Sequence, residues 1–173
     1  MSVNVLGLDL SITATGAAFT CAGGTVATET IKTNEKLGDA RLATIRQTVL
    51  EMATGAAFAL LEAPTARSAT SVISGMVHGV VRQLLVELNV PYGTVMPSAL
   101  KKYATGKGTS DKTAMALEAY KRAGIEFADD NQCDAWWLWH MANDFRGVPI
   151  IDLPKLNRES LATIEMHWKG RGK

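Results

Sequence analysis

Cysteine and histidine are scarce in this sequence. Its 173 residues include two cysteines, Cys21 and Cys133, which lie far apart and form no Cys-x-x-Cys pair. The three histidines are also isolated from one another and are best explained without a function. Metal binding through thiolates needs clustered ligands, so we do not expect it here. A chain with so few thiols suits a reducing compartment, and we expect a cytoplasmic location.

Long apolar runs are missing as well. No run approaches the roughly 18 residues that a membrane span needs, and no basic region precedes the first apolar stretch, so we expect neither a membrane partner nor a signal peptide. A hydrophobic content of 47% and a charged content of 20% are typical of a globular domain. We predict one domain over residues 1–147, followed by a short C-terminal appendix with a basic tail over 148–173.

Charge of one sign is not in excess, because the formal net charge is +1. Basic residues are nevertheless concentrated in two places, residues 97–122 and the tail with Lys169, Arg171 and Lys173. Such concentrations are typical of surfaces that bind phosphates. A solvated helix face with a solubilising tail would look the same.

Apolar periodicity predicts an α/β fold with a mixed five-stranded sheet flanked by helices. The first three strands are joined by tight turns into an antiparallel meander, and two further strands follow. The predicted strands are 3–10, 17–21, 25–31, 57–62 and 90–96. Four helices are predicted over 39–52, 68–88, 132–144 and 158–166, the first with Asp39 as its cap. A short helix begins at Pro97, and another is capped by Thr109 or Ser110 and ends near residue 123.

One face of the predicted helix 68–88 has an unusual composition. Gly75 and Gly79 would permit another element to approach closely, and Val72, Met76 and Val80 supply apolar contact. This face could bind a second subunit, or it could pack on the chain's own sheet as most apolar helix faces do.

Three carboxylates stand where a charge is costly to bury. Asp9 and Glu62 end apolar strands, and Asp134 begins a helix that also carries Trp136, Trp137 and Trp139. Carboxylates that converge in an apolar setting need a metal ion or a shared proton. Each also has a simpler explanation, because Asp9 could cap a turn, Glu62 could pair with Arg67, and Asp134 could stabilise its helix start. The tryptophans point different ways around their helix and are expected in the core.

Four segments, in chain order, resemble the motifs of one nuclease family, the RuvC-type Holliday-junction resolvases. They are 6–11 followed by Thr15-Gly16, 61–64 around Glu62, 101–106 followed by Asp111-Lys112, and 130–135 around Asp134. The last segment is similar to phage-type members, and a phage-encoded chain would act in the host cytoplasm.

The resemblance implies an RNase H-like fold, a homodimer and an endodeoxyribonuclease that hydrolyses phosphodiester bonds in branched DNA. Four-way junctions are the expected substrate, and the choice between junctions, flaps and forks is left open by the sequence. It also implies Mg²⁺ or Mn²⁺, with two ions per active site. By position, Asp9, Glu62 and Asp134 match the catalytic metal ligands. The family commonly has a fourth ligand three residues before the final Asp, where this chain has Asn131. We favour Asp130, one helical turn before Asp134 on the same face, over the Asn131 oxygen.

The basic stretch supplies the candidates for DNA contact. We assign Lys112 to the scissile phosphate as a catalytic group, and Lys101, Lys102 and Lys107 to the flanking backbone. Tyr103 is the one aromatic residue inside this stretch and is a candidate for contact with a base or sugar. Ordinary solvated lysines are the alternative explanation for each of the four.

Three other functions compete with this interpretation. A sugar-kinase or actin-like ATPase lobe has a similar strand, Asp and hairpin at its start, but such proteins need two lobes. A YqgF-type nuclease would share the fold and act on RNA. A catalytically silent protein that binds branched DNA would keep the basic stretch without needing all three of Asp9, Glu62 and Asp134.

Overall fold

The computed structural model describes residues 4–64 and 71–171. Its strands form one mixed sheet in the order β3-β2-β1-β4-β5-β6. The strands are β1 (Val5–Asp9), β2 (Ala14–Thr20), β3 (Val26–Lys32), β4 (Phe58–Glu62), β5 (Tyr92–Val95) and β6 (Glu165–Trp168). The helices are α1 (Ala40–Ala53), α2 (Ser71–Glu87), α3 (Pro97–Thr105), α4 (Lys112–Ala123), α5 (Asp130–Phe145) and the single turn α6 (Lys155–Arg158).

The pairing confirms the α/β class and the meander. β1, β2 and β3 are antiparallel neighbours, whereas β4 runs parallel to β1 and β5 runs parallel to β4. The first residues predicted for β1 and for the helix after β4, Val3 and Ser68, lie outside the described residues, as does Arg67.

The predicted count of five strands is wrong, because residues 165–168 add a sixth. We predicted a helix over 158–166, but α6 and a 3-10 turn end by Thr163 and the chain then pairs with β5 in antiparallel fashion. Exposed and half-buried residues alternate along this strand, which is the pattern of a sheet edge. The segment after residue 147 therefore contributes to the sheet and packs against α3.

Two cores lie on opposite faces of the sheet, because successive strand residues point to opposite sides. Val5 and Leu60 pack with α3, α4 and α5 on one face. Leu6 and Leu61 pack with α1 and α2 on the other. Trp136, Trp137 and Trp139 are buried in the first core, as predicted.

Aspartate caps fix the first residues of α4 and α5, the two helices that carry Lys112 and Asp134. Asp111 caps α4 by accepting a hydrogen bond from the Ala114 amide at 2.8 Å, so the predicted caps Thr109 and Ser110 are wrong. Asp129 caps α5 through the Gln132 amide. Asp39 precedes α1, but its side chain makes no capping hydrogen bond. Within the described residues, no helix is both long and apolar enough to cross a membrane.

Candidate active site

Two of the three carboxylates are placed side by side by strand pairing. β1 and β4 are parallel neighbours, and Leu8 pairs with Leu61, so the next residues, Asp9 and Glu62, end their strands together. Both follow the alternation that faces the α5 side of the sheet, since Val5 and Leu60 pack there. The carboxyl ends of these two strands therefore form one edge of a site.

The third carboxylate arrives because α5 lies unusually close to the sheet. A Cβ on Gly7 would lie 2.5 Å from the Trp139 backbone nitrogen, and one on Gly16 would lie 2.6 Å from the Asn131 carbonyl carbon. Only glycine leaves room for a helix backbone at this distance. The close contact brings Asp134, which is 9% exposed, to the ends of β1 and β4.

The three carboxylates line one cleft of about 260 Å³. Its lining is Asp9, Glu62, Pro97, Leu100, Lys101, Lys112, Met115 and Asp134. A larger cleft of about 530 Å³ lies between α4 and the start of α5, but its lining is mostly apolar and Asp130 is the candidate residue that it reaches. We place the chemistry in the smaller cleft because the acidic and basic groups meet there.

Burial and mutual repulsion make the carboxylates hard to ionise. Burial, with repulsion from Asp9 and Asp134, raises the pKa of Glu62 to about 8. Burial, with repulsion from Asp134, raises the pKa of Asp9 to about 6. The pKa of Asp134 is also raised, chiefly by burial, although Lys112 opposes the shift. Perturbation of this kind is typical of functional sites.

Lys112 supplies positive charge at the open side of the cleft. Its Nζ lies 3.7 Å from Asp134 Oδ2 and 3.5 Å from Asp130 Oδ2. Asp130 is largely exposed, whereas the Asn131 side chain is hydrogen-bonded to Asp129. Both candidates for a fourth ligand therefore have a partner, and Asp130 is the one that shares Lys112 with Asp134.

The other predicted DNA-binding lysines are divided by the structure. Lys101 lines the cleft. Lys102 points toward the C-terminal segment and pairs with Glu159 at 3.0 Å, and Lys107 is exposed in the loop between α3 and α4. Lys101 and Lys112 are thus the two lysines that the fold brings to the carboxylates.

The expectation that Tyr103 contacts a base or sugar is wrong. Its side chain is 1% exposed and its hydroxyl donates to Asp144 Oδ2 at 3.2 Å. Leu100, Tyr103 and Ala104 form the buried face of α3, so the helical period places this tyrosine in the core although its neighbours are basic.

A residue that sequence analysis set aside lies beside the carboxylates. His78 of α2 lines a second, smaller pocket together with Asp9, Glu62 and Ser74. The available signal was a polar pair at i and i+4, Ser74 and His78, inside the otherwise apolar stretch 72–81 of this helix. That spacing puts both side chains on one face, but it does not show which part of the molecule the face meets.

The chemistry of the donors fits a hard divalent cation. Carboxylate oxygens suit Mg²⁺ or Mn²⁺ rather than zinc, and buried carboxylates with raised pKa values gain most from a positive charge. As the side chains stand, no three acidic, histidine or cysteine groups in the described residues are grouped tightly enough to hold an ion. The site is therefore an open arrangement of possible ligands, not a closed metal cage.

Comparison with known proteins identifies the fold. No protein-family model and no curated protein matches the chain. Among solved structures it is similar to Thermus thermophilus RuvC, with 20% identity, a TM-score of 0.66, and coverage of 95% of this chain and 100% of that one. It is also similar to T. thermophilus RuvC in complex with a Holliday junction substrate, with 20% identity, a TM-score of 0.71, and coverage of 95% and 99%. The chain has the RNase H-like fold of RuvC, which confirms the fold that the motifs implied.

Proposed function

We propose that the protein is a divalent-metal-dependent endodeoxyribonuclease that cleaves branched DNA, with the Holliday junction as its main substrate. The observation that carries the proposal is the meeting of Asp9, Glu62 and Asp134 in one cleft with Lys101 and Lys112. A fold shared with a RuvC structure that holds a Holliday junction substrate supports this class of substrate.

The residues of the cleft have distinct parts in such a reaction. Asp9, Glu62 and Asp134 line the cleft and would hold two Mg²⁺ or Mn²⁺ ions, with Asp130, which shares Lys112 with Asp134, as the fourth ligand. Ions held there would supply positive charge for activating water and for stabilising the departing oxygen. Lys112 would contact the scissile phosphate once it is released from its carboxylate partners. Lys101 would hold the adjoining backbone, as lysines commonly do in protein–DNA interfaces.

A cleavage assay tests this proposal. Purified protein is incubated with a four-way junction, a flap, a fork and linear duplex, with Mg²⁺, with Mn²⁺ or with a chelator. We expect metal-dependent cleavage that favours the junction. Asp9→Asn, Glu62→Gln and Asp134→Asn should each lower the rate by orders of magnitude and leave DNA binding largely intact.

Asp144→Asn is the matched control, because Asp144 is another buried carboxylate of α5. It accepts hydrogen bonds from Tyr103 and Arg158, away from the cleft. This variant should lose stability while its folded fraction still cleaves. Wild-type rates in any of the three cleft variants would contradict the site assignment, and junction binding without cleavage would favour a silent DNA-binding protein.

A homodimer is part of the same proposal, since a four-way junction has two strands to cut at symmetry-related positions. Among the described residues, the α2 face formed by Val72, Gly75, Met76, Gly79 and Val80 is not part of either core. Val72 is 74% exposed, Met76 is exposed, and a Cβ on Gly75 or Gly79 would meet nothing within 4 Å. This face supports a contact with a second copy, and the partner would present a second cleft to the junction.

A further inference from the structure

A second pocket lies where the carboxyl ends of β1 and β4 approach α2. It has a volume of about 80 Å³ and is lined by Asp9, Leu10, Glu62, Ala63, Pro64, Ser74 and His78. None of the four candidate DNA-binding lysines lines it. Asp9 and Glu62 thus stand between a cleft that contains Asp134 and two lysines and a pocket that contains His78.

His78 is a buried polar residue with one unsatisfied ring nitrogen. Its side chain belongs to the buried face of α2 and is 5% exposed. Its Nδ1 has no hydrogen-bond partner in the part of the chain that the structure describes. Burial, with a smaller contribution from Arg82, lowers the pKa of His78 to about 4, so the ring is neutral near pH 7. An unsatisfied buried group of this kind costs about 1–3 kcal/mol, which calls for an explanation.

Glu62, which lines the same pocket, also lacks a hydrogen-bond partner among the described residues. Its carboxylate forms no hydrogen bond or ion pair with any other described residue, although Lys112 and Lys101 act on it through space. Among the described residues, the Glu62 carboxyl and the His78 Nδ1 thus both lack a hydrogen-bond partner, and both side chains line one small polar pocket. A volume of about 80 Å³ has room for two water molecules, since a water occupies about 30 Å³ in the liquid.

We propose that His78 is a positioning residue for Glu62, which its imidazole orients by a hydrogen bond, made directly or through one water in the small pocket. The role rests on the proposed function, in which Glu62 holds a divalent cation. Carboxylates that bind metals are commonly fixed by hydrogen bonds from a surrounding layer of residues. Ser74, one helical turn before His78, completes the polar wall of the pocket.

Direct measurement of metal binding tests the role. Mn²⁺ is titrated into the metal-free full-length protein by calorimetry, with wild type compared with His78→Leu, His78→Asn and His78→Gln. Leu removes the hydrogen bond, Asn places an amide near Nδ1, and Gln places one near Nε2. We expect His78→Leu to weaken Mn²⁺ binding about tenfold, and one of the two amides to restore most of the affinity.

His140→Leu is the matched control. His140 is also buried in a helix with an unpartnered Nδ1, and burial lowers its pKa to about 3, but it lies among Trp136 and Trp139. Both Leu variants should change thermal stability, whereas only the change at His78 should alter Mn²⁺ affinity.

Three results would overturn the inference. The first is wild-type Mn²⁺ affinity in a folded His78→Leu protein. The second is equal loss in the Leu, Asn and Gln variants, which would make the imidazole a direct metal ligand. The third is equal loss in His140→Leu, which would make the effect one of stability. A wild-type protein that neither binds Mn²⁺ nor cleaves a junction would instead contradict the proposed function, and the inference with it.

Discussion

Replacing Glu62 with Gln should stabilise the metal-free protein while it abolishes cleavage. The reason is the pKa of the carboxyl, which burial and the neighbouring acids raise from an ordinary value of 4.5 to about 8. Between these values the folded protein holds a proton that the unfolded chain has released. Unfolding then releases a proton, so stability is greatest in acid and falls as the pH rises through this window.

The size of the effect follows from the same shift. Each pH unit in the window costs about 1.4 kcal/mol. The carboxyl of Glu62 thus lowers the free energy of unfolding by about 3 kcal/mol near pH 7 and by about 5 kcal/mol above pH 8. Gln fills nearly the same volume and never ionises. The free energy of unfolding of Glu62→Gln should therefore equal that of wild type near pH 4 and exceed it at higher pH, by a difference that grows as the pH rises.

Urea unfolding in a chelating buffer between about pH 4 and pH 9 measures this margin. Glu51→Gln, at an exposed position of α1, is the control and should change stability by less than about 0.5 kcal/mol. Added Mg²⁺ should reduce the advantage of Glu62→Gln, since a bound cation stabilises the ionised carboxylate of wild type. A stabilisation that is the same at pH 5 and pH 9 would refute the argument from charge burial.

Three further predictions concern the rim, the DNA and the subunit contact. Asp130→Asn should lower the cleavage rate far more than Asn131→Ala, and the reverse ranking would assign the fourth ligand to Asn131. Lys101→Met should reduce the slope of log affinity for DNA against log salt by about one. Lys102→Met should change this slope less, because Glu159 already pairs with this lysine. Equal slopes in the two variants would show that both lysines contact DNA alike. Met76→Asp should give a folded monomer by light scattering that makes single nicks in place of paired cuts, and a wild type that is monomeric with and without junction DNA would rule out the dimer.

The parts of the fold that sequence analysis predicted depend on local patterns. Asp9 and Glu62 were found because each interrupts an apolar run at the end of a strand, and strand alternation is visible within a few residues. The start of α5 was found because acidic and polar residues precede an apolar helix. These signals lie within single elements, which is why their positions were predicted well.

The parts that sequence analysis missed depend on contacts between distant segments. The sixth strand is four residues long and exists through its pairing with β5, so its own pattern is too short to separate it from a helix. Lys101 and Lys102 are neighbours of the same type, but Lys101 lines the cleft whereas Lys102 pairs with Glu159. His78 lines a pocket with Glu62 because α2 packs back on the sheet, and no spacing within the helix predicts which strand ends it approaches.

Core packing and the candidate site share one structural requirement, which is the absence of a side chain at Gly7 and at Gly16. Gly7 precedes Asp9 by two residues and faces the same side of β1, and Gly16 pairs with Asp9 across the hairpin. A Cβ at either glycine would collide with the backbone of α5, and a backbone cannot rotate away as a side chain can. The helix would have to move outward and carry Asp130 and Asp134 with it. The distance at which α5 buries its tryptophans is therefore also the distance that brings its carboxylates to Asp9, so neither can change without the other.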